Sequence, residues 1–116
     1  DVDGGLLAAA FSANDPESTD LLWGSLGWKA EETVLLYNHR RDRPMRLMAF
    51  LPWIRSWPWK ERLLAGDLAL RGAGGFRRVK LDAEGLAALV RSGRRVFGCG
   101  NVAGFPLPFL LERRVG

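Results

Sequence analysis

The chain has one cysteine, Cys99, and one histidine, His39. A single thiol allows no internal disulfide and no cysteine-cluster zinc site. A reducing, cytoplasmic setting is the natural expectation, although a secreted domain without disulfides is compatible with it. With one His and one Cys, a metal site would need several carboxylates that the sequence does not group, so neither a metal nor a cofactor is expected. Glutamine is absent and Ile54 is the only isoleucine. Lysine is scarce: the 17 basic residues include only Lys29, Lys60 and Lys80, and the rest are arginine. That bias fits a GC-rich or thermophilic proteome, so part of the positive charge reflects proteome style. No run approaches the roughly 18 apolar residues of a membrane-spanning helix. The chain opens on Asp1-Val2-Asp3, acidic where a signal peptide is basic, and without an initiator Met, as in a processed or excised piece.

What is present describes an ordinary soluble domain. The 116 residues are 47% hydrophobic and 26% charged. That length predicts a single compact domain over 1–116. Such a chain buries about two-thirds of its unfolded surface, enough for a core without covalent staples. The charge is uneven. Residues 1–32 hold seven acids against Lys29, a net of −6, so the remainder carries +10 within the overall +4. A basic body with an acidic head suits an anionic partner, or two surfaces that pair with each other or with a neighbouring subunit.

Taken in order, the elements predict an α+β fold. Asp3 caps a short helix over 4–13, and Asp15-Pro16 opens another over 16–23 that ends near Gly24. Thr33–Asn38 reads as a strand from its β-branched and aromatic content. Met45–Leu51 reads as the return strand, with Met45, Leu47, Ala49 and Leu51 on one face. These two make a hairpin whose tip is His39-Arg40-Arg41-Asp42-Arg43-Pro44. Glu61–Ala65 is too short to assign. Asp67–Arg71 and Phe76–Leu81 suggest a second hairpin across Gly72-Ala73-Gly74-Gly75. Asp82 caps a helix over 83–92, striped by Leu86, Leu89 and Val90 and stopped by Gly93. Arg94–Cys99 is a further strand. Phe105–Arg113, with Pro106 and Pro108, reads as a sheet-edge strand. The expected architecture is therefore an antiparallel sheet of about five to six strands, two hairpins plus C-terminal strands, with two or three short helices.

The densest stretch runs from Phe50 to Lys60. It holds Trp53, Trp57 and Trp59, three of the five tryptophans, beside Pro52, Pro58, Arg55 and Lys60. The prolines argue against a helix interior or a central strand. Trp53 and Trp57 stand at i,i+4, so one helical turn would place them on a common face. In composition the run resembles Trp/Pro-rich membrane-active peptides of the indolicidin type, a resemblance that carries no function over. Its bland reading is a set of indoles capping one end of the core. Its functional readings are a stacking surface for single-stranded nucleic acid, a membrane-interface anchor or a protein-binding hot spot.

Other constellations carry weaker chemistry. Gly98-Cys99-Gly100-Asn101-Val102-Ala103 has the spelling of a dinucleotide fingerprint. Gly104-Phe105-Pro106 blocks the helix that must follow, so those glycines read as a tight turn or bulge. Cys99 could act as a nucleophile with His39 as base and Asp42 or Asp67 as orienter, but a lone Cys is more often a small buried hydrophobe. Arg71-Gly72-Ala73-Gly74-Gly75-Phe76 faintly echoes the basic-glycine-aromatic strand of RNA-recognition folds, whose stacking aromatics are mostly missing here. Phe76, Arg78 and Lys80 on one strand face could set a ring between two phosphate-binding cations.

Three function classes follow. The first is a basic module for nucleic acid or another polyanion. It uses Arg40, Arg41, Arg43, Arg78, Lys80, Arg94 and Arg95, with Trp53, Trp57, Trp59 and Phe76 stacking, and it requires the cations to converge on one face. The second is a structural or protein-interaction domain, self-associating as a homo-oligomer through the Trp/Pro surface. The third is a small enzyme or ligand-binding domain around Cys99 and His39, which requires a thiol reactive near neutral pH. A peripheral membrane contact stays open.

Overall fold

The computed structural model describes residues 6–11, 15–39, 44–66, 76–79, 83–91 and 94–100. Within them, continuous apolar runs become strands buried on both faces. The clearest is β2 (Thr33–His39), all seven residues of which are buried. The others are β1 (Leu6–Ala9), β3 (Glu61–Gly66), β4 (Arg77–Arg78) and β5 (Arg95–Gly100). They form a single sheet in the order β1-β5-β2-β3-β4. All four pairings are parallel, with Tyr37 opposite Cys99 on one side and Leu64 on the other.

This overturns the expected antiparallel sheet. Residues 45–51 do not return as a strand; they lie inside helix α2 (Pro44–Arg55). Leu47, Phe50 and Ile54, at helical spacing, are the residues it buries. Pro44 opens this helix, where the missing N–H costs nothing, and Pro52 sits inside it. The expected N-terminal helix is instead the edge strand β1, whose Leu6–Ala9 pair with Arg95–Gly98. Of the expected second hairpin only part of its second strand is described: Arg77–Arg78 form β4, which runs parallel to β3. Residues 67–71 and 105–113, both expected as strands, lie outside the described residues.

The other two helices fall close to expectation. Asp15 caps α1 (Pro16–Leu26) by accepting from the Ser18 N–H at 2.7 Å, and Gly27 ends it in the left-handed region at φ 67°. Helix α3 spans Ala83–Arg91. A 3-10 turn over Ala30–Glu32 leads into β2.

The helices cover the sheet on both sides. Trp23 of α1 and Leu47, Phe50 and Ile54 of α2 join Leu35, Tyr37, Leu64, Phe97 and Cys99 in one core. Leu86, Ala87 and Val90 of α3 join Val34, Leu36, Leu63 and Val96 in the other. The faces follow from chirality. The chain steps from β1 to β2 to β3 in one direction under α1 and α2, then returns from β4 to β5 in the other. One handedness suits all these crossovers only when the returning helix lies on the opposite face, as α3 does. The architecture is a three-layer α/β/α domain, and its carboxyl edge is where a parallel sheet of this kind presents a ligand crevice.

Candidate functional site

The carboxyl edge centres on the last residues of β2. Asn38 and His39 are buried there, flanked by Gly66 at the end of β3 and Gly100 at the end of β5. Both glycines have positive φ, 87° and 93°. A Cβ on Gly66 would lie 2.6 Å from the Asn38 Oδ1, and one on Gly100 would lie 2.6 Å from the Asn38 carbonyl oxygen. Glycine is thus required at both positions, by backbone conformation and by close approach.

Next to this pair stands Tyr37. Its ring packs edge-on against Phe50 of α2 at 5.4 Å, and the side chain is fully buried. Among the described residues its hydroxyl has no hydrogen-bond partner. Burial pushes the phenol well above its ordinary range, the neighbouring Cys99 pushes it further, and the Arg46 guanidinium pulls it back. Arg46 stands one turn before Phe50 on α2, which places its charge toward the phenol at the amino end of that helix. The edge therefore gathers a helix amino terminus, an arginine and a buried hydroxyl in want of a partner. Each favours an anion, and together they suit a carboxylate.

Cys99 belongs to the core and not to a reactive centre. It is fully buried, and burial raises its thiol far above neutral pH. A thiol buried in this way does not match the exposed, reactive thiol that the Cys99–His39 reading requires. Among the described residues no three His, Cys, Asp or Glu side chains are grouped as metal ligands.

Among the described residues, the cations singled out from the sequence stand in two separate places. Arg94 and Arg95 stand at the amino end of β5, where Arg95 lies over the Trp28 ring at 5.8 Å. Arg78 stands on the edge strand β4, opposite Leu64. Four residues along the strands and three strands across separate Arg95 from Arg78, roughly 20 Å by standard sheet spacings. Arg40, Arg41 and Arg43, in the connection between β2 and α2, and Lys80 lie outside the described residues. Phe76 is half-buried against the core under α1 and α2.

The tryptophans also belong mainly to that core. Trp59 is buried, donates its Nε1–H to the Ile54 carbonyl at 2.8 Å, and lies parallel to Phe97 at 6.4 Å. Trp53 and Trp57 are half-buried. Trp53 donates its indole N–H to Asp20 of α1 at 2.8 Å. Trp57 meets Trp23 edge-on at 5.9 Å.

Over residues 2–113 the chain matches the family described as the poly-gamma-glutamate synthase CapB C-terminal domain. The chain belongs to this family. No curated protein and no solved structure matches it.

For a CapB C-terminal domain, the informative residues at the carboxyl edge are Tyr37, Asn38, Arg46, Gly66 and Gly100. Reading the sequence as hairpins hid them. A hairpin would have put Tyr37 and Arg46 on facing antiparallel strands, whereas the β2–α2 connection brings a helix end over the strand end. The available signal was Pro44 directly after an arginine-rich turn, a common helix opening.

Proposed function

We propose that this domain binds the acidic polymer of a poly-gamma-glutamate synthase at the carboxyl edge of its sheet. Poly-gamma-glutamate carries one free carboxylate on each linked residue. It is therefore a polyanion, the partner class that the net +10 of residues 33–116 suits. The observation that carries the reading is Arg46, in the first turn of α2, acting on the buried Tyr37 hydroxyl, which has no hydrogen-bond partner among the described residues. A carboxylate arriving there pairs with the guanidinium, and accepts from the phenol where the edge opens enough to uncover that buried hydroxyl. Arg40, Arg41 and Arg43 stand between β2 and α2 in the chain and would extend the contact to neighbouring carboxylates of the polymer. In this reading the domain holds and orients acidic polymer for the synthase. Nucleic acid, the other polyanion the basic body could attract, is the competing ligand.

The test is a calorimetric titration with a synthetic gamma-glutamate oligomer, at low and at moderate salt, beside a single-stranded oligonucleotide of equal charge. The oligomer binds the more tightly, and its affinity falls as salt rises. Arg46→Ala weakens binding about tenfold, the value of one charge-assisted contact. Tyr37→Phe weakens it less, yet stabilises the free domain by about 1 kcal/mol, because it removes a buried hydroxyl that has no partner among the described residues. Equal or tighter binding of the oligonucleotide, or no response to Arg46→Ala, overturns the proposal.

A further inference from the structure

We propose that the groove between the amino end of α1 and the carboxyl end of α2 is a docking site for a basic segment of a partner protein, which inserts an arginine or lysine side chain. The groove is shallow and open, is lined by Pro16, Glu17, Asp20, Trp53, Ser56 and Trp57, and has a volume of about 460 Å³. That volume is within the range of clefts that take small ligand groups.

The lining specifies the occupant. Among the described residues it contributes two carboxylates and two indoles, and no cation. Neither Glu17 nor Asp20 is ion-paired with a described residue. One Asp20 oxygen is held by the Trp53 indole N–H at 2.8 Å, which fixes the carboxylate and leaves its second oxygen for a donor from outside. Trp57 is braced by Trp23 at 5.9 Å and by Trp59 at 6.5 Å, so its ring is set before any partner arrives. A cation between carboxylates and an indole face gains both an ion pair and a cation–π contact, and an arginine can bind a carboxylate through two parallel bonds. Rings already ordered by the core lose little entropy on binding, the economy that makes aromatic residues binding hot spots.

Charge complementarity selects a basic partner. Two of the groove's residues, Glu17 and Asp20, belong to the acidic head of the chain, residues 1–32 with net −6, within a molecule of net +4. A basic segment is repelled by most of this molecule and attracted here, which confines it to one place. The groove stands at the end of α2 opposite Arg46. The seven-residue step along α2 from Arg46 to Trp53 separates the two sites by roughly 10 Å along the helix axis, and they accept charges of opposite sign.

The experiment uses the isotope-labelled full chain and a blocked tri-arginine peptide, with blocked tri-citrulline as the neutral isostere. The arginine peptide shifts the Trp53 indole N–H resonance and the citrulline peptide does not. The double variant Glu17→Gln, Asp20→Asn weakens arginine-peptide binding at least tenfold with its thermal melt unchanged. The amide oxygen introduced by Asp20→Asn can still accept from Trp53, so the fold is expected to persist. A Trp53 signal that stays in place, equal shifts from both peptides, or unchanged affinity in the double variant overturns the proposal. A concentration-dependent dimer that the same double variant dissolves also overturns it, since the occupant is then a second copy of this chain. Because oligomer binding at Arg46 is read by calorimetry on a different variant, failure there leaves this result intact.

Discussion

Gly66 and Gly100 bracket the last residues of β2, and both use backbone angles that a side chain would strain. At Gly100 an added methyl would meet the Asn38 carbonyl oxygen at 2.6 Å and the Tyr37 ring at 3.1 Å. Neither neighbour gives way easily, because the first is backbone and the second is packed against Phe50. Gly100→Ala should therefore lower stability by about 2 kcal/mol or more, measured as a shift in the urea midpoint at constant slope. Gly24 is the contrast: it lies in α1 with open space around it, so Gly24→Ala is the control expected to stabilise. Asn38 gains its position from the same two glycines, which is why the carboxyl edge could not be read from any one residue. It depends on approaches between chain segments that are about 30 and 60 positions apart in sequence.

At the scale of elements, local capping decided most of what sequence reasoning got right. Helix α1 was legible because Asp15-Pro16 is a cap followed by a favourable first residue, and α3 because its apolar stripe is regular. Asp15→Ala should lower the melting temperature near neutral pH, as it leaves the Ser18 N–H without its acceptor. The Ser18 hydrogen bond also holds the Asp15 carboxyl below its ordinary range, so that contribution is lost in strong acid. Helix α2 was misread because residues 45–51 satisfy two templates at once. Met45, Leu47, Ala49 and Leu51 alternate as in a strand, while Leu47, Phe50 and Ile54 repeat as in a helix. Pro52 reads as a stop before the helical repeat is complete, yet the helix accommodates it. The parallel sheet had its own signal in Val34-Leu35-Leu36-Tyr37. A strand buried on both faces reads as an unbroken apolar run, whereas a half-exposed hairpin strand alternates. For β1 there was little to read: Leu-Leu-Ala-Ala has weak strand preference, and its pairing with β5 decides its conformation.

For the whole molecule, burial of titratable groups links the fold to pH. The Cys99 thiol and the Tyr37 phenol are both held protonated by burial, whereas the unfolded chain releases these protons near their ordinary values of 9.0 and 10.0. Raised folded values contribute stability that is complete below those pH values and lost as pH rises through and above them. Thermal melts should be flat across neutral pH and fall from about pH 9 upward. Cys99→Ala should postpone that fall to the range where Tyr37 alone titrates. Among the described residues no helix is long and apolar enough to cross a membrane. The fold instead places its two charged features at opposite ends of α2. The strand order has a further consequence, during synthesis. β1 pairs with β5, which is made last of the described strands, and β5 separates β1 from β2. Once made, β1 must wait, unmatched by β5, until Arg95–Gly100 emerge. At ordinary elongation rates of about 5–20 residues per second that delay lasts several seconds or more. During it, Leu6 and Leu7 have no native neighbour in the sheet, so the nascent chain relies on early β2–β3 pairing under α2 to keep its apolar surface covered.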